Sequence, residues 1–300
     1  MTSNKTPLHD IRIGTMLGIA EAPALLPQVL PMGFESYQLN GGWGVEIVDF
    51  KTIAAKCKDL IGDKAVVSSI GFFGNPIQVP AQVEVFAAYI DNAHHFGTNI
   101  VTGFAGAIDD KPVMDAWPMF KKVWSELGKR AADRGVKIAF ENCDMGGMWH
   151  AARFNLAHSP TVWDMMWNEI PEANLGLCWE PCHQMVSLID PIPQLRKLAH
   201  DKKIFTVHGK DATIAWDVLR TKGLRGGQPF VWHRTPGFGD TNWTDVISIL
   251  RMEGFKGSID IEGWHDPVYK AELEYTGQIH ALNYLKNCRG GSTFVPNPVK

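Results

Sequence analysis

The sequence predicts a single α/β domain spanning 1–300, a (β/α)8 TIM barrel with its active site at the C-terminal ends of the strands. Three observations carry that expectation. Apolar, β-branched runs recur eight times, and the segments between them mostly carry helical periodicity. Each of the last four runs also ends on a carboxylate or an imidazole. Alternation of strand and helix at this length is the pattern of a parallel barrel, which gathers the C-terminal edges of its strands on one face.

In chain order the expected strands are IRIGTML (11–17), GFESYQL (33–39), KAVVSSIG (64–71), GTNIVTGF (97–104), GVKIAFEN (135–142), ANLGLCWE (173–180), KKIFTVHG (202–209) and GSIDIEG (257–263). The clearest helical patterns lie at 83–97 and 116–135. Gly33, Gly97, Gly135 and Gly254 stand where a helix hands over to a strand, the C-cap position that favours glycine. Two longer segments break the rhythm, 143–158 after the fifth strand and 211–241 after the seventh. Both are rich in glycine and aromatics. As long loops on the catalytic face they are expected to form a lid or a wall for sugar stacking.

Composition narrows the class. A chain of 300 residues with 45% hydrophobic content can bury a large core. A formal charge of −3, from 29 basic and 32 acidic residues, leaves no footprint for nucleic acid. No apolar stretch approaches the roughly 18 residues a membrane span needs. The N-terminus MTSNKTPLHD lacks the basic and apolar regions of a secretion signal. Five cysteines without a CxxC pair fit reduced thiols and a cytoplasmic location. Cys178 and Cys182 flank Glu180, but their gap makes a poor zinc knuckle, and packing is their expected role.

The strand ends carry the chemistry. Glu141, Glu180, His208 and Glu262 close the last four strands, each inside an apolar run where an unpaired charge would be costly. Three carboxylates and an imidazole brought together repel unless a divalent cation joins them. Oxygen-rich ligation with one imidazole favours Mn²⁺, with Mg²⁺ or Co²⁺ also suited. His183 offers a further nitrogen. Lys210 alternates onto the same side as His208 and can hold a substrate oxygen, unless Asp211 pairs with it instead. Arg234 can clamp a hydroxyl or a phosphate from the 211–241 segment. His150 and the strand-end tryptophans Trp43, Trp149, Trp179, Trp216, Trp232 and Trp264 offer surfaces to a sugar, with Trp179 and Trp264 nearest the ligands.

These residues also carry a resemblance. ENCDMGG (141–147), FNLAHSPTVWDMMW (154–167), NLGLCWEPCHQ (174–184), VHGKDA (207–212), RTPGFGDTNW (234–243) and SIDIEG (258–263) make the chain resemble the xylose-isomerase-like TIM-barrel superfamily, in its sugar phosphate isomerase/epimerase branch. The likeness covers 11–286. It implies a metal held by Glu141, Glu180, His208 and Glu262. It also implies acid/base roles for Glu141 and Glu262 and contacts from His183 and Lys210 to substrate oxygens. The family pattern has Asp in Asp-Pro-x-His where this chain has Glu180 in Glu-Pro-Cys-His, a change of about one bond length at the ligand.

The expected function is a metal-dependent sugar isomerase or epimerase that removes a proton alpha to a carbonyl through a stabilised enediolate. The alternative is a lyase that cleaves 3-keto-glycosides by β-elimination from the same enolate. An apurinic endonuclease would need more histidines and a basic groove, and a purely sugar-binding subunit would not need two acid/base glutamates. The expected partner is a small sugar or keto-glycoside, with no nucleic acid and no membrane. Association with further copies or with a different subunit is left open.

Overall fold

A computed structural model describes residues 7–172 and 174–298. Eight parallel strands close into one barrel. They are β1 (Ile11–Gly18), β2 (Ser36–Gly41), β3 (Val66–Phe72), β4 (Ile100–Gly103), β5 (Lys137–Glu141), β6 (Leu175–Trp179), β7 (Ile204–Gly209) and β10 (Gly257–Ile261), and β10 pairs with β1 to complete the ring. The crossover helices are α1 (Ala22–Val29), α2 (Phe50–Ile61), α3 (Ala81–Asn92), α4 (Val113–Ala132), α5 (Pro160–Glu169), α6 (Pro181–Val186), α7 (Pro191–His200), α9 (Trp243–Met252) and α10 (Glu274–Cys288). Among the described residues no helix is long and apolar enough to cross a membrane.

The second and fourth strands begin later than the hydrophobic runs suggest, for one reason. Gly33 and Gly97 take left-handed φ values of 88° and 75° and end the preceding helical turn. A residue in that conformation cannot also start a strand, so β2 and β4 open three residues on. Residue 173, the expected first residue of the sixth strand, lies outside the described residues.

The 211–241 segment corrects the sequence reading. It is not a loop but an antiparallel hairpin of β8 (Asp211–Ile214) and β9 (Val231–Arg234), with α8 (Trp216–Lys222) between them. Each strand is only four residues long, too short for its alternation to stand out. The 143–158 segment has no helix or strand. It is held instead by Asn155, whose side chain donates to the Glu141 and Cys143 carbonyls and accepts from Ala105 and Ala157 N–H groups.

Inside the barrel, polar side chains span the ring. Asp260 on β10 accepts from Ser36 on β2 at 2.6 Å and from Ser68 on β3 at 2.7 Å. It reaches them across β1 because position 14 has no side chain: a Cβ on Gly14 would lie 2.2 Å from both Asp260 Oδ1 and Ser36 Oγ.

At the opposite, N-terminal end, α10 is locked to the barrel by Arg289, which is 1% exposed. Its guanidinium forks onto Glu35 at 2.5 and 3.0 Å and donates to the Ile11 carbonyl at 2.8 Å. Burial alone would raise the Glu35 pKa, but Arg289 outweighs it and holds the carboxyl below its ordinary 4.5. The folded value is the lower one, so this stabilisation is present above 4.5 and is lost as pH falls through the folded value. Arg289→Met strands a buried carboxylate and is expected to cost about 3–5 kcal/mol in urea unfolding, with Glu35→Leu in the same chain recovering most of the loss.

Candidate metal centre

The four sequence-predicted ligands converge on one point at the barrel mouth. Glu141 is the last residue of β5, Glu180 follows β6 as the N-cap of α6, His208 lies near the end of β7, and Glu262 follows β10. These strands form one unbroken arc of the barrel, β10-β7-β6-β5. One ligand atom from each residue lies within 4.8 Å of the others.

Local structure fixes each side chain. Asn142 clamps the Glu180 peptide from both sides: its carbonyl accepts from the Glu180 N–H at 2.8 Å, and its amide donates to the Glu180 carbonyl at 2.9 Å. Pro181 occupies the first helical position, where its missing N–H costs nothing. The Glu262 N–H donates to the Gly209 carbonyl, extending the β10–β7 ladder to the ligand itself. Asn155 does the same service for the Glu141 carbonyl.

Burial and charge decide the protonation states. Burial pushes Glu141 well above the ordinary carboxyl value, and Glu180 and Glu262 add to the shift. Burial also penalises Glu180, but Lys210 and His183 more than offset it and hold the group at about 2. At Glu262 burial is again outweighed, by Lys210, His208 and His265, and the carboxyl lies well below its ordinary value. Lys210 is the pivotal cation: its Nζ donates to Glu262 Oε1 at 2.8 Å, with Glu180 Oε2 at 3.9 Å.

The donors left over fit a divalent cation. Glu180 Oε1, His208 Nδ1 and Glu262 Oε2 are buried without a hydrogen-bond partner. His208 Nδ1 lies 3.2 Å from Glu262 Oε2 and 3.6 Å from Glu141 Oε2, so these atoms face one another. Buried polar groups are normally satisfied, and three orphaned ligand atoms around one point mark a place that a cation would fill.

The remaining expected residues divide. His183 joins the cluster, its Nε2 3.1 Å from Glu180 Oε1 and 3.4 Å from Lys210 Nζ. Asp211 does not pair with Lys210. Its carboxylate accepts from the Ala212 and Thr241 N–H groups and the Trp243 indole, and it anchors the root of the hairpin. Arg234 is engaged elsewhere, its Nε donating to Asp266 Oδ2 at 3.0 Å. Trp179 is no sugar wall: it is fully buried and donates to Gln184 Oε1, because the alternation that turns Glu180 inward turns Trp179 outward under the helices. Trp264 and His150 are exposed on the rim. Trp216 starts α8 and Trp232 lies on β9, so both belong to the hairpin insertion. Cys178 packs with Ala139 and Phe205, and the Cys182 thiol donates to Glu180 Oε2 at 3.3 Å, so neither competes as a thiolate ligand.

Other residues of the site escaped the sequence reading. His265 Nε2 sits 2.9 Å from Glu262 Oε1, and His233 on β9 lies beside His183, ring centroids 5.0 Å apart and planes tilted by 53°. An aromatic wall of Trp43, Phe154, Phe104 and Phe73 runs inward to His208, with Phe73 and His208 centroids 6.4 Å apart. Trp43 was singled out in the sequence, and Phe154 lies in the 143–158 segment expected to form such a wall. Phe104 closes an apolar run that reads as core, and Phe73 lies just beyond one.

The sequence profile described as "Xylose isomerase-like TIM barrel" matches residues 33–288. An inosose dehydratase of Clostridium botulinum (strain Alaska E43 / Type E3) is 25% identical over 222 residues, covering 67% of this chain and 68% of that protein. Among solved structures, a xylose isomerase domain protein from Planctomyces limnophilus superposes with a TM-score of 0.69 at 17% identity, over 94% of this chain and 97% of its own. A 3-keto-D-glucoside 4-epimerase from E. coli does so with a TM-score of 0.66 at 13% identity, over 93% and 100%. Both superpositions report on the fold alone.

Divalent cation is expected to raise the melting temperature of the purified chain, equivalent to about 2.7 kcal/mol at a hundredfold excess over Kd. Glu180→Gln, measured by the same thermal scan, should remove most of that shift. Because burial raises the Glu141 pKa and a ligand carboxyl must be deprotonated, cation binding should tighten as pH rises and release a proton. Calorimetry in two buffers of different ionisation enthalpy reads that proton directly.

Proposed function

The chain belongs to the xylose isomerase-like TIM barrel family, and from that premise we propose that it is a divalent-cation-dependent enzyme that removes the proton next to the carbonyl of a keto-sugar or keto-cyclitol. The convergence of three orphaned ligand atoms between Glu141 and Glu262 carries this reading. Glu141, Glu180, His208 and Glu262 would hold the cation, with Mn²⁺ the best match to their donor set and Mg²⁺ or Co²⁺ also suited. When bound, the cation supplies Lewis-acid polarisation of the carbonyl and the neighbouring oxygen.

The chain's own residues do the rest. Glu262, kept ionised by Lys210, takes the α-proton onto its carboxylate. Lys210 Nζ and His183 Nε2 stand beside it and orient substrate oxygens. Glu141, at the far end of the four-strand arc, is the second acid/base carboxyl: it takes up a proton from solvent and offers it from there. If that proton goes to a β-hydroxyl, the C–H electrons form the C=C bond, the C–O bond breaks and water departs. If it goes back to the same carbon from the other face, the centre is inverted.

Loss of water is the branch we favour, because the Clostridium botulinum relative named as a dehydratase matches by sequence over two thirds of both chains. Inversion is the second reading, supported by the placement of Glu141 and Glu262 at opposite ends of the arc.

The Mn²⁺-loaded protein is to be incubated in D₂O with an inosose and, separately, with a 3-keto-glucoside, and followed by NMR. Elimination is expected to give an unsaturated ketone whose α-carbon has lost its hydrogen, with deuterium entering the α-carbon of recovered substrate wherever proton removal reverses. An inverted, deuterated centre without unsaturation would establish the second reading instead, and free aglycone would extend elimination to glycosides. The absence of both α-deuterium and an unsaturated product with either compound would remove the proposal. Glu262→Gln should slow the exchange by about 10²–10⁴-fold.

A further inference from the structure

Gln38 on β2 is wholly buried and reaches across the barrel to β7, where its Nε2 lies 2.9 Å from His208 Nε2. The same amide nitrogen donates to Asn40 Oδ1 at 3.1 Å, and Gln38 Oε1 accepts from Ser69 Oγ at 2.9 Å. An amide nitrogen can only donate. Set against that amide nitrogen, His208 Nε2 is the accepting nitrogen, which leaves the ring N–H on Nδ1. Nδ1 faces Glu262 Oε2 and Glu141 Oε2, so without a cation its N–H points into the carboxylates.

A cation needs the reverse. To serve as a ligand, Nδ1 must offer its lone pair, and the ring proton must move to Nε2. Nε2–H would then face the Gln38 NH₂, donor against donor, in a place closed to water. Turning the Gln38 amide by half a turn removes the conflict. Its carbonyl then accepts from His208 Nε2–H, and its nitrogen donates to Ser69 Oγ. Asn40 turns likewise and presents its own NH₂ to the Gln38 carbonyl. Each member of this chain (hydroxyl, two amides, imidazole) can donate or accept, so the turn conserves its hydrogen bonds and the ring neither gains nor loses a proton.

On the reading that the centre holds a divalent cation, we propose that Gln38 sets the tautomer of His208 and turns its amide over when the cation enters. Gln38 is thus a positioning residue. It touches no reacting atom and acts through the ligand.

The test combines direct observation of the ring with cation affinity. In protein labelled with ¹⁵N-histidine, the His208 signals (identified by their loss in His208→Gln) should report a proton on Nδ1 without metal and on Nε2 at saturation with Zn²⁺ or Mg²⁺. Mn²⁺ titration of Gln38→Leu should show affinity weakened about 10–100-fold, with the metal-free circular dichroism unchanged. Gln38→Glu, which presents only acceptors once ionised, should retain at least wild-type affinity and guards against a folding artefact. The proposal is overturned if Gln38→Leu binds Mn²⁺ like the wild type, or if His208 keeps one tautomer throughout. A wild-type chain that takes up none of these cations would instead remove the cation reading, and this proposal with it.

Discussion

Mutual repulsion among Glu141, Glu180 and Glu262 is the constraint around which the catalytic face is arranged. Glu141 and Glu180 are removed from water and Glu262 is only partly exposed, so solvent dilutes little of their charge. The chain answers with one ammonium, Lys210, pressed against Glu262, and with burial that raises the Glu141 pKa. That compromise leaves ligand atoms unsatisfied, which a purely structural network would not retain. It survives because the backbone does not yield: Asn142 and Asn155 fasten the Glu180 and Glu141 peptides, and the β10–β7 ladder fastens Glu262.

Much of this was legible in the sequence because it follows from strand periodicity. An apolar run that ends in a charged residue announces both the strand and the face on which its end lies. Four such endings located the cluster before any geometry was known. Proximity to Glu180 is a poor guide to Trp179, since the neighbour of an inward residue faces outward. Boundaries slipped at Gly33 and Gly97 because one glycine was read both as a cap and as the start of a strand.

What escaped notice depends on partners distant in the chain. Asp211 reads as a natural mate for Lys210 until the hairpin closes and brings Thr241 and Trp243 to it. β8 and β9 pair across sixteen intervening residues, and neither is long enough to show a period by itself. Gln38 did leave a trace: Ser36, Gln38 and Asn40 alternate through an otherwise apolar strand, which signals a polar interior. Its counterpart, His208, lies 170 residues away.

The barrel mouth is also lopsided. Every charged ligand comes from the arc β10-β7-β6-β5, while β2, β3 and β4 are followed by Trp43, Phe73 and Phe104. On the cation-dependent reading proposed above, that half of the rim must keep its ligand geometry and tolerates little drift. The other half answers only to shape and hydrophobic fit, so selection can remodel it for a new molecule while the reactive half is inherited intact. A fold divided in this way separates what is done from what it is done to, and lets the two evolve at different rates.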